Sequence, residues 1–248
     1  MNNCLKEIGL PEATLPRELR RQEEAQVTLC ALTTAHRRDH PAGTILKLEG
    51  EDTGSIFLVL SGWLLASKSL AEGQRQIIDI ILPGGILDPA SANPGISALE
   101  IETLTDVELA AIPRVRWRQA CDEHRELAEM NLQVIDAAMS RRAERMMRLG
   151  KAPAETIITF ALCELCLRST DHGLVEDREF HIPMTQQQLG DFCGLSAVHI
   201  CRTLRRLQRN EVLSVTDHMD IVVHDLDAMA TLAEIDIDAL REEIIAVA

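Results

Sequence analysis

The chain of 248 residues is 46% apolar and 26% charged, with 39 acidic against 25 basic side chains and a net charge of −14. Such a length buries a sizeable core as one large domain or two smaller ones; the acidic balance argues against indiscriminate nucleic-acid binding, and four Phe, two Trp and no Tyr argue against an aromatic platform for single strands. No apolar run approaches the roughly 20 residues of a membrane span, and the polar MNNCLKEIGLPEATLPRELRRQEEAQ has no signal-peptide core, so a cytoplasmic protein with no membrane partner is expected.

Residues 12–36 have a helical pattern, broken by Pro16 and ended near Pro41. The period then changes. AGTILKLEG, SIFLVLSGWLLASKS, RQIIDIILPGG and ALEIETLTDVELAAIP are short β-rich runs separated by turn signals at Gly50 to Gly54, Glu72-Gly73, Pro83-Gly84-Gly85 and Asn93-Pro94-Gly95. Short strands with tight turns predict a small antiparallel barrel or roll. From about Arg114 the pattern is helical again. Ala128, Leu132, Ile135, Met139, Arg142, Met146 and Leu149 recur at 4-3-4-3-4-3 spacing, an a/d seam of a helix that pairs with another helix. No second helix carries such a seam, so the expected partner is its copy in a second subunit; the alternative is packing on its own domain. Gly150 and Pro153 mark a hinge.

Beyond the hinge, AETIITFALCELCLRS reads as an amphipathic helix, and Val175 to Pro183 as a loop with a short extended piece. Thr185 to Phe192 is a short helix, Gly194 a turn, and Ser196 to Asn210 a longer helix with four arginines and no acid. LSVT and DIVVHD form a hairpin around Asp217-His218-Met219, and DLDAMATLAEIDIDALREEIIAVA is an acidic helical tail. The short helix, turn and longer helix have helix-turn-helix spacing, and the hairpin supplies a wing. Ser196 is a good N-cap. Leu189, Phe192, Leu195, Ile200, Leu204 and Leu207 are placed for the core between the helices. Ala197, Val198, His199, Arg202, Arg205, Arg206 and Arg209 are left for other faces; with Ser196, and with Thr185 and Gln186 at the start of the short helix, they form the candidate set for double-stranded DNA. A recognition helix reads base edges from its N-terminal half, while peripheral Arg holds phosphates. Arg202 is placed to donate a bidentate pair to guanine O6 and N7.

The order of β-roll, long helix, hinge and winged helix resembles the CRP/FNR family of bacterial transcription regulators. HPAGTILKLEGEDTGSIFLVLSGWL is similar to the family's first roll strands, LPGGIL to its later glycine turn, and TQQQLGDFCGLSAVHICRTLRRLQRNEVL to its helix-turn-helix. The likeness covers roughly residues 24–226. It implies an α+β fold with an N-terminal antiparallel β-roll (a cyclic-nucleotide-binding-like jelly roll), a long dimerisation helix and a C-terminal winged helix-turn-helix. The corresponding division is an arm over 1–23, a sensory roll over 24–113, a dimerisation helix over 114–151, the winged helix over 152–225 and an acidic helix over 226–248. It also implies a homodimer, paired through Leu132, Ile135, Met139, Arg142, Met146 and Leu149, on a palindromic promoter site.

The departures are informative. Where many members carry a Glu that accepts from cytosine stands Val198, while Arg202 keeps the Arg position; Cys201 replaces a Ser of FNR-type members. The family's cyclic-nucleotide pocket needs a Gly-Glu pair and an Arg-Ser/Thr pair. Here GGILDPAS has Asp88-Pro89, and GISALEIETLT has no Arg but Glu100 and Glu102, which repel a phosphate. An FNR-type iron–sulfur cluster needs three clustered N-terminal cysteines plus one in the roll, and Cys4 stands alone near that end, with Cys121 near the distant position. His36, His40 and His124 have no spacing that marks a haem ligand. No cofactor and no metal are expected. The seven cysteines are odd in number and scattered, which suits no disulfide framework. Cys163 and Cys166 fall among apolar residues as buried structural thiols, whereas Cys201, beside Arg202, is the candidate redox residue.

An enzyme is not expected, since the chain has no Gly-rich phosphate loop, HExxH or GxSxG. The other reading is a protein-interaction module in which the roll and acidic tail bind a partner and the helix-turn-helix is vestigial. In that tail, Asp225, Asp227, Glu234, Asp236, Asp238, Glu242 and Glu243 face only Arg241, and Leu226, Met229, Leu232, Leu240 and Ile244 are placed to pack it as a solvated capping helix. RNA polymerase is a further candidate partner there.

Overall fold

The computed structural model describes residues 17–90, 95–171, 173–174, 179–216 and 219–245. Most of the arm, Cys4, and Asp217-His218 of the expected hairpin turn lie outside them. After helix α1 (Arg17–His36) come strands β1 (Arg37–His40), β2 (Ile45–Lys47), β3 (Ser55–Ser61), β4 (Leu64–Ser69), β5 (Arg75–Ile81), β6 (Ile86–Leu87), β7 (Glu100–Thr103) and β8 (Val107–Pro113). They form two four-stranded antiparallel sheets, ordered β1-β8-β3-β6 and β2-β7-β4-β5. Alternation builds the core between them: Val59, Leu64, Ile101 and Leu109 point inward and are fully buried. Gly62, at φ 78°, makes the β3–β4 turn, and a Cβ there would lie 2.2 Å from the Asp106 carbonyl, so no larger residue fits. Helix α1 ends at His36, and strand β1 continues directly from it.

The single helix expected over 114–151 is two, α2 (Arg114–Glu123) and α3 (Arg125–Lys151). His124 separates them in an extended conformation, and its Nε2 lies 2.9 Å from Thr28 Oγ1 of α1. That side-chain tie, together with α1 packing through Ala25, Leu29 and Leu32 on Leu127, Cys121 and Met130, holds the bend without Gly or Pro. Helix α3 passes through Gly150 and stops before Pro153, which opens onto α4 (Ala154–Asp171).

Helix α4 differs most from its sequence pattern. Every residue from Thr156 to Ser169 is buried, so it is a central helix covered on all sides rather than an amphipathic surface helix. One continuous core joins its Ile158, Phe160 and Leu162 to Trp63, Leu65, Ile77 and Ile80 of the roll and to the C-terminal unit. That unit contains β9 (Glu179–His181), α5 (Gln186–Cys193), α6 (Ala197–Arg209), β10 (Leu213–Val215) and β11 (Asp220–Val223), the strands pairing in the order β10-β11-β9. The acidic tail is likewise two helices, α7 (Leu226–Ala233) and α8 (Ile237–Ile244), divided at Glu234 with φ 54°. Met229, Leu240 and Ile244 are buried, while Leu226 is exposed.

A buried ion cluster ties roll, α3 and α4 together. Asp79 of β5 meets Arg145 at 3.3 Å and Arg142 at 3.4 Å, with Arg141 and Arg168 at 3.7 and 3.9 Å. Glu164 of α4 meets Arg168 at 3.1 Å and Arg145 at 3.3 Å. Arg145 and Arg168 also donate to the β5 carbonyls of Ile78 and Ile80, at 2.9 and 2.5 Å. Burial opposes ionisation of Asp79, but Arg145, Arg141, Arg168 and Arg142 outweigh it and hold the carboxyl below its ordinary range. Among the described residues no helix is long and apolar enough to cross a membrane.

Candidate nucleic-acid interface

Local chemistry fixes the two helices. Thr185 caps α5 with a complete capping box: its Oγ1 accepts from the Gln188 amide at 3.1 Å, and Gln188 Oε1 accepts from the Thr185 amide at 2.9 Å. Gly194 ends α5 in the left-handed conformation, φ 64°. A Cβ on Gly190 would lie 2.5 Å from the Leu195 carbonyl, so the close crossing of the turn depends on glycine. Ser196 then caps α6, its Oγ accepting from the His199 amide at 3.4 Å.

Helix α6 buries Ile200, Leu204 and Leu207 against Leu189 and Phe192 of α5. The 3.6-residue period therefore sends Val198, Arg202, Arg205 and Arg209 outward in one row, and all four are exposed. Ala197 and Cys201 are half-buried beside it. Among the described residues the guanidinium groups of Arg202 and Arg205 have no hydrogen-bond or ion-pair partner. Arg209 Nε donates to the Arg205 carbonyl at 3.3 Å. Arg206 is differently placed: its Nε donates to Glu155 Oε1 of α4 at 2.6 Å and its Nη2 to Glu155 Oε2. Thr185 and Gln186 are exposed at the N-terminus of α5. Gln208 donates to the Val215 carbonyl at 3.2 Å and fastens α6 to the wing. Neither Glu155 nor Gln208 stands out in the sequence, because their partners are not local in pattern.

The unit is anchored to the rest of the chain. Gln76 of β5 donates to the Phe192 carbonyl at 3.1 Å, and the Arg145 guanidinium lies over the Phe192 ring, 4.6 Å from its centroid. On α3, Leu132, Ile135, Met139, Met146 and Leu149 are exposed at 42–72% and form an uncovered apolar stripe. Arg142 of the same seam turns to Asp79 instead, and Met147, outside the seam, is also exposed.

In the roll, Asp88 Oδ1 accepts from Arg114 and from the Ala90 amide. Arg75 faces β7 and is bound by Glu102 at 2.6 Å and Glu100 at 3.4 Å. The pattern of a carboxylate pair closed on an arginine does not fit a cyclic phosphate. Cys163, Cys166 and Cys193 are buried, and burial pushes the Cys163 and Cys193 thiols up to about 12. Cys201 borders the α6 surface with Ala197 and Arg202. Among the described residues no three His, Cys, Asp or Glu side chains are grouped to hold a metal.

Comparison with known proteins agrees with this geometry. Residues 37–124 match the cyclic nucleotide-binding domain and residues 158–232 the Crp-like helix-turn-helix domain. A probable transcriptional activator of Rhizobium leguminosarum is 25% identical over 198 residues, 78% of this chain and 79% of the relative. The transcriptional activator protein FnrL of Cereibacter sphaeroides is 23% identical over 197 residues, 76% of each chain. The structure of FixK2 from Bradyrhizobium japonicum superposes with a TM-score of 0.67 at 20% identity, covering 86% of this chain and 98% of that one, which shows a common fold.

Proposed function

The chain belongs to the CRP/FNR family of transcription regulators, and we infer that it acts as a cytoplasmic homodimer on a palindromic promoter site. The observation that carries this reading is the outward row of α6, in which Arg202 and Arg205 are exposed and uncommitted. With α6 in the major groove, Arg202 reads guanine, and Arg205 and Arg209 hold phosphates. The exposed N-terminus of α5 at Thr185 and Gln186, where the Gln186 amide is outside the capping box, takes a further phosphate. Ser196, Ala197, Val198 and His199 lie at the base-reading end. Arg206 acts differently, positioning α6 against α4 through Glu155.

The apolar stripe of α3 supports pairing of two copies, because an exposed row of Leu, Ile and Met on a long helix is a binding face. Two-fold symmetry then places two copies of α6 about one helical turn of DNA apart. The roll is not gated by a cyclic nucleotide, since Arg75 is already held by Glu100 and Glu102. Nor does an FNR-type iron–sulfur cluster gate it, since Cys4 stands alone where three clustered N-terminal cysteines are needed.

The test is selection from random duplex DNA by the purified, reduced, full-length protein without added ligand. A palindromic motif enriched by wild type and lost in Arg202→Ala is expected. Enrichment unchanged in Arg202→Ala, or appearing only with cyclic AMP, contradicts the reading.

A further inference from the structure

The first turn of α6 faces outward with apolar groups. Val198 is 64% exposed, and the half-buried methyl of Ala197 lies next to it in the chain. Neither side chain has a donor or an acceptor. The polar groups of this turn are engaged with one another: Ser196 Oγ lies 2.9 Å from His199 Nδ1 and also accepts the His199 amide. Val198 begins the row that continues through Arg202, Arg205 and Arg209, so it presents the same face as Arg202, one turn nearer the N-terminus.

A major-groove edge offers an exposed valine one apolar feature, the C5-methyl of thymine. Cytosine at the same place offers an N4 donor, which Val198 leaves without an acceptor once water is displaced. We propose that Val198 is a specificity-determining residue that selects thymine, through its C5-methyl, in the half-site that Arg202 enters. The proposal rests on the reading of α6 as the recognition helix. Four residues of helix advance about 6 Å, less than two base-pair steps of about 3.4 Å. The thymine therefore lies within about two base pairs of the guanine that Arg202 reads.

Deoxyuridine isolates the methyl group, because it keeps every hydrogen-bonding group of thymine. Each thymine of the selected half-site is replaced by deoxyuridine in turn, and binding of the full-length protein is measured by fluorescence anisotropy. One position is expected to lose about fourfold in affinity per half-site, the value of one buried carbon, and about fifteenfold when both half-sites are changed. Val198→Ala binds the thymine and deoxyuridine duplexes of that position with nearly equal affinity. Val198→Glu, which restores an acceptor, shifts the preference there from thymine to cytosine. The exposure of Val198 makes both variants compatible with folding. Wild-type protein indifferent to deoxyuridine at every thymine overturns the proposal, as does an unchanged thymine preference in Val198→Ala. Failure of the underlying reading is distinct, because then either no sequence motif is selected or Arg202→Ala selects the same motif as wild type.

Discussion

Arg202, Arg205, Arg206 and Arg209 are indistinguishable in composition, yet their surroundings assign them different work. Arg206 is fastened to Glu155, 51 residues earlier in the chain, while Arg202 and Arg205 are free to meet a ligand. Arg202→Ala is expected to cost about 1–3 kcal/mol in specific binding and to relax preference at one base pair. Arg205→Ala should weaken all sequences alike and reduce the slope of log affinity against log salt by about one per subunit. Titrations at several salt concentrations separate the two outcomes. The outward row itself was legible from the period of α6, whereas the partner of Arg206 was not, because it depends on how α4 docks. The cysteines offer a second test. With thiols pushed up to about 12 by burial, Cys163 and Cys193 should resist iodoacetamide at pH 8 in the native protein, while exposed Cys30 reacts; peptide mass spectrometry reads the sites.

At the scale of elements, the junction of β5, α3 and α4 was the least legible. AETIITFALCELCLRS looks one-sided in sequence, yet the roll, α3, α5, α6 and α7 together surround α4. Two signals were present: Asp79 interrupts the apolar run IIDIIL, and Glu164 interrupts FALCELCL. A lone acid in a buried run requires a partner, but pattern alone does not say that arginines of α3 supply it. Removing Asp79 leaves Arg145 and Arg168 partly unpaired in the interior, so Asp79→Ala is expected to destabilise the fold by about 3–5 kcal/mol. The pH dependence has a definite sign. Because the carboxyl is held below its ordinary range in the fold, its contribution is present above the unfolded value of about 3.9. It is lost as pH falls from there through the lower folded value. Denaturant unfolding should show a gap between wild type and Asp79→Asn at pH 7 that narrows below about pH 4. A gap that widens with acid would contradict the charge assignment.

For the whole molecule, the order of roll, long helix and winged unit could be read from turn signals and changes of period, as could the spacing of the α3 seam. The docking of the winged unit on β5 could not, because Gln76 with Phe192 and Arg168 with Ile80 are contacts across 116 and 88 residues. The break at His124 also rests on tertiary contacts rather than on a local breaker, whereas the second tail helix starts at a local cap, Asp236 Oδ1 accepting from the Ala239 amide at 2.9 Å. If α3 pairs two copies, Ile135→Glu with Met139→Glu should give a folded monomer in sedimentation velocity, because four carboxylates would face one another at the seam. A dimer that survives both changes would move the interface elsewhere.

Two copies of α6 are proposed to read one symmetric site together. This joint reading is tested most directly by titrating the full-length protein against the selected palindrome and against the same duplex with one half-site scrambled. Two protomers on the palindrome, a large loss of affinity on the scrambled duplex, and a smaller loss between the two duplexes for Arg202→Ala are expected. Equal affinity for both duplexes, or one protomer on the palindrome, would contradict it.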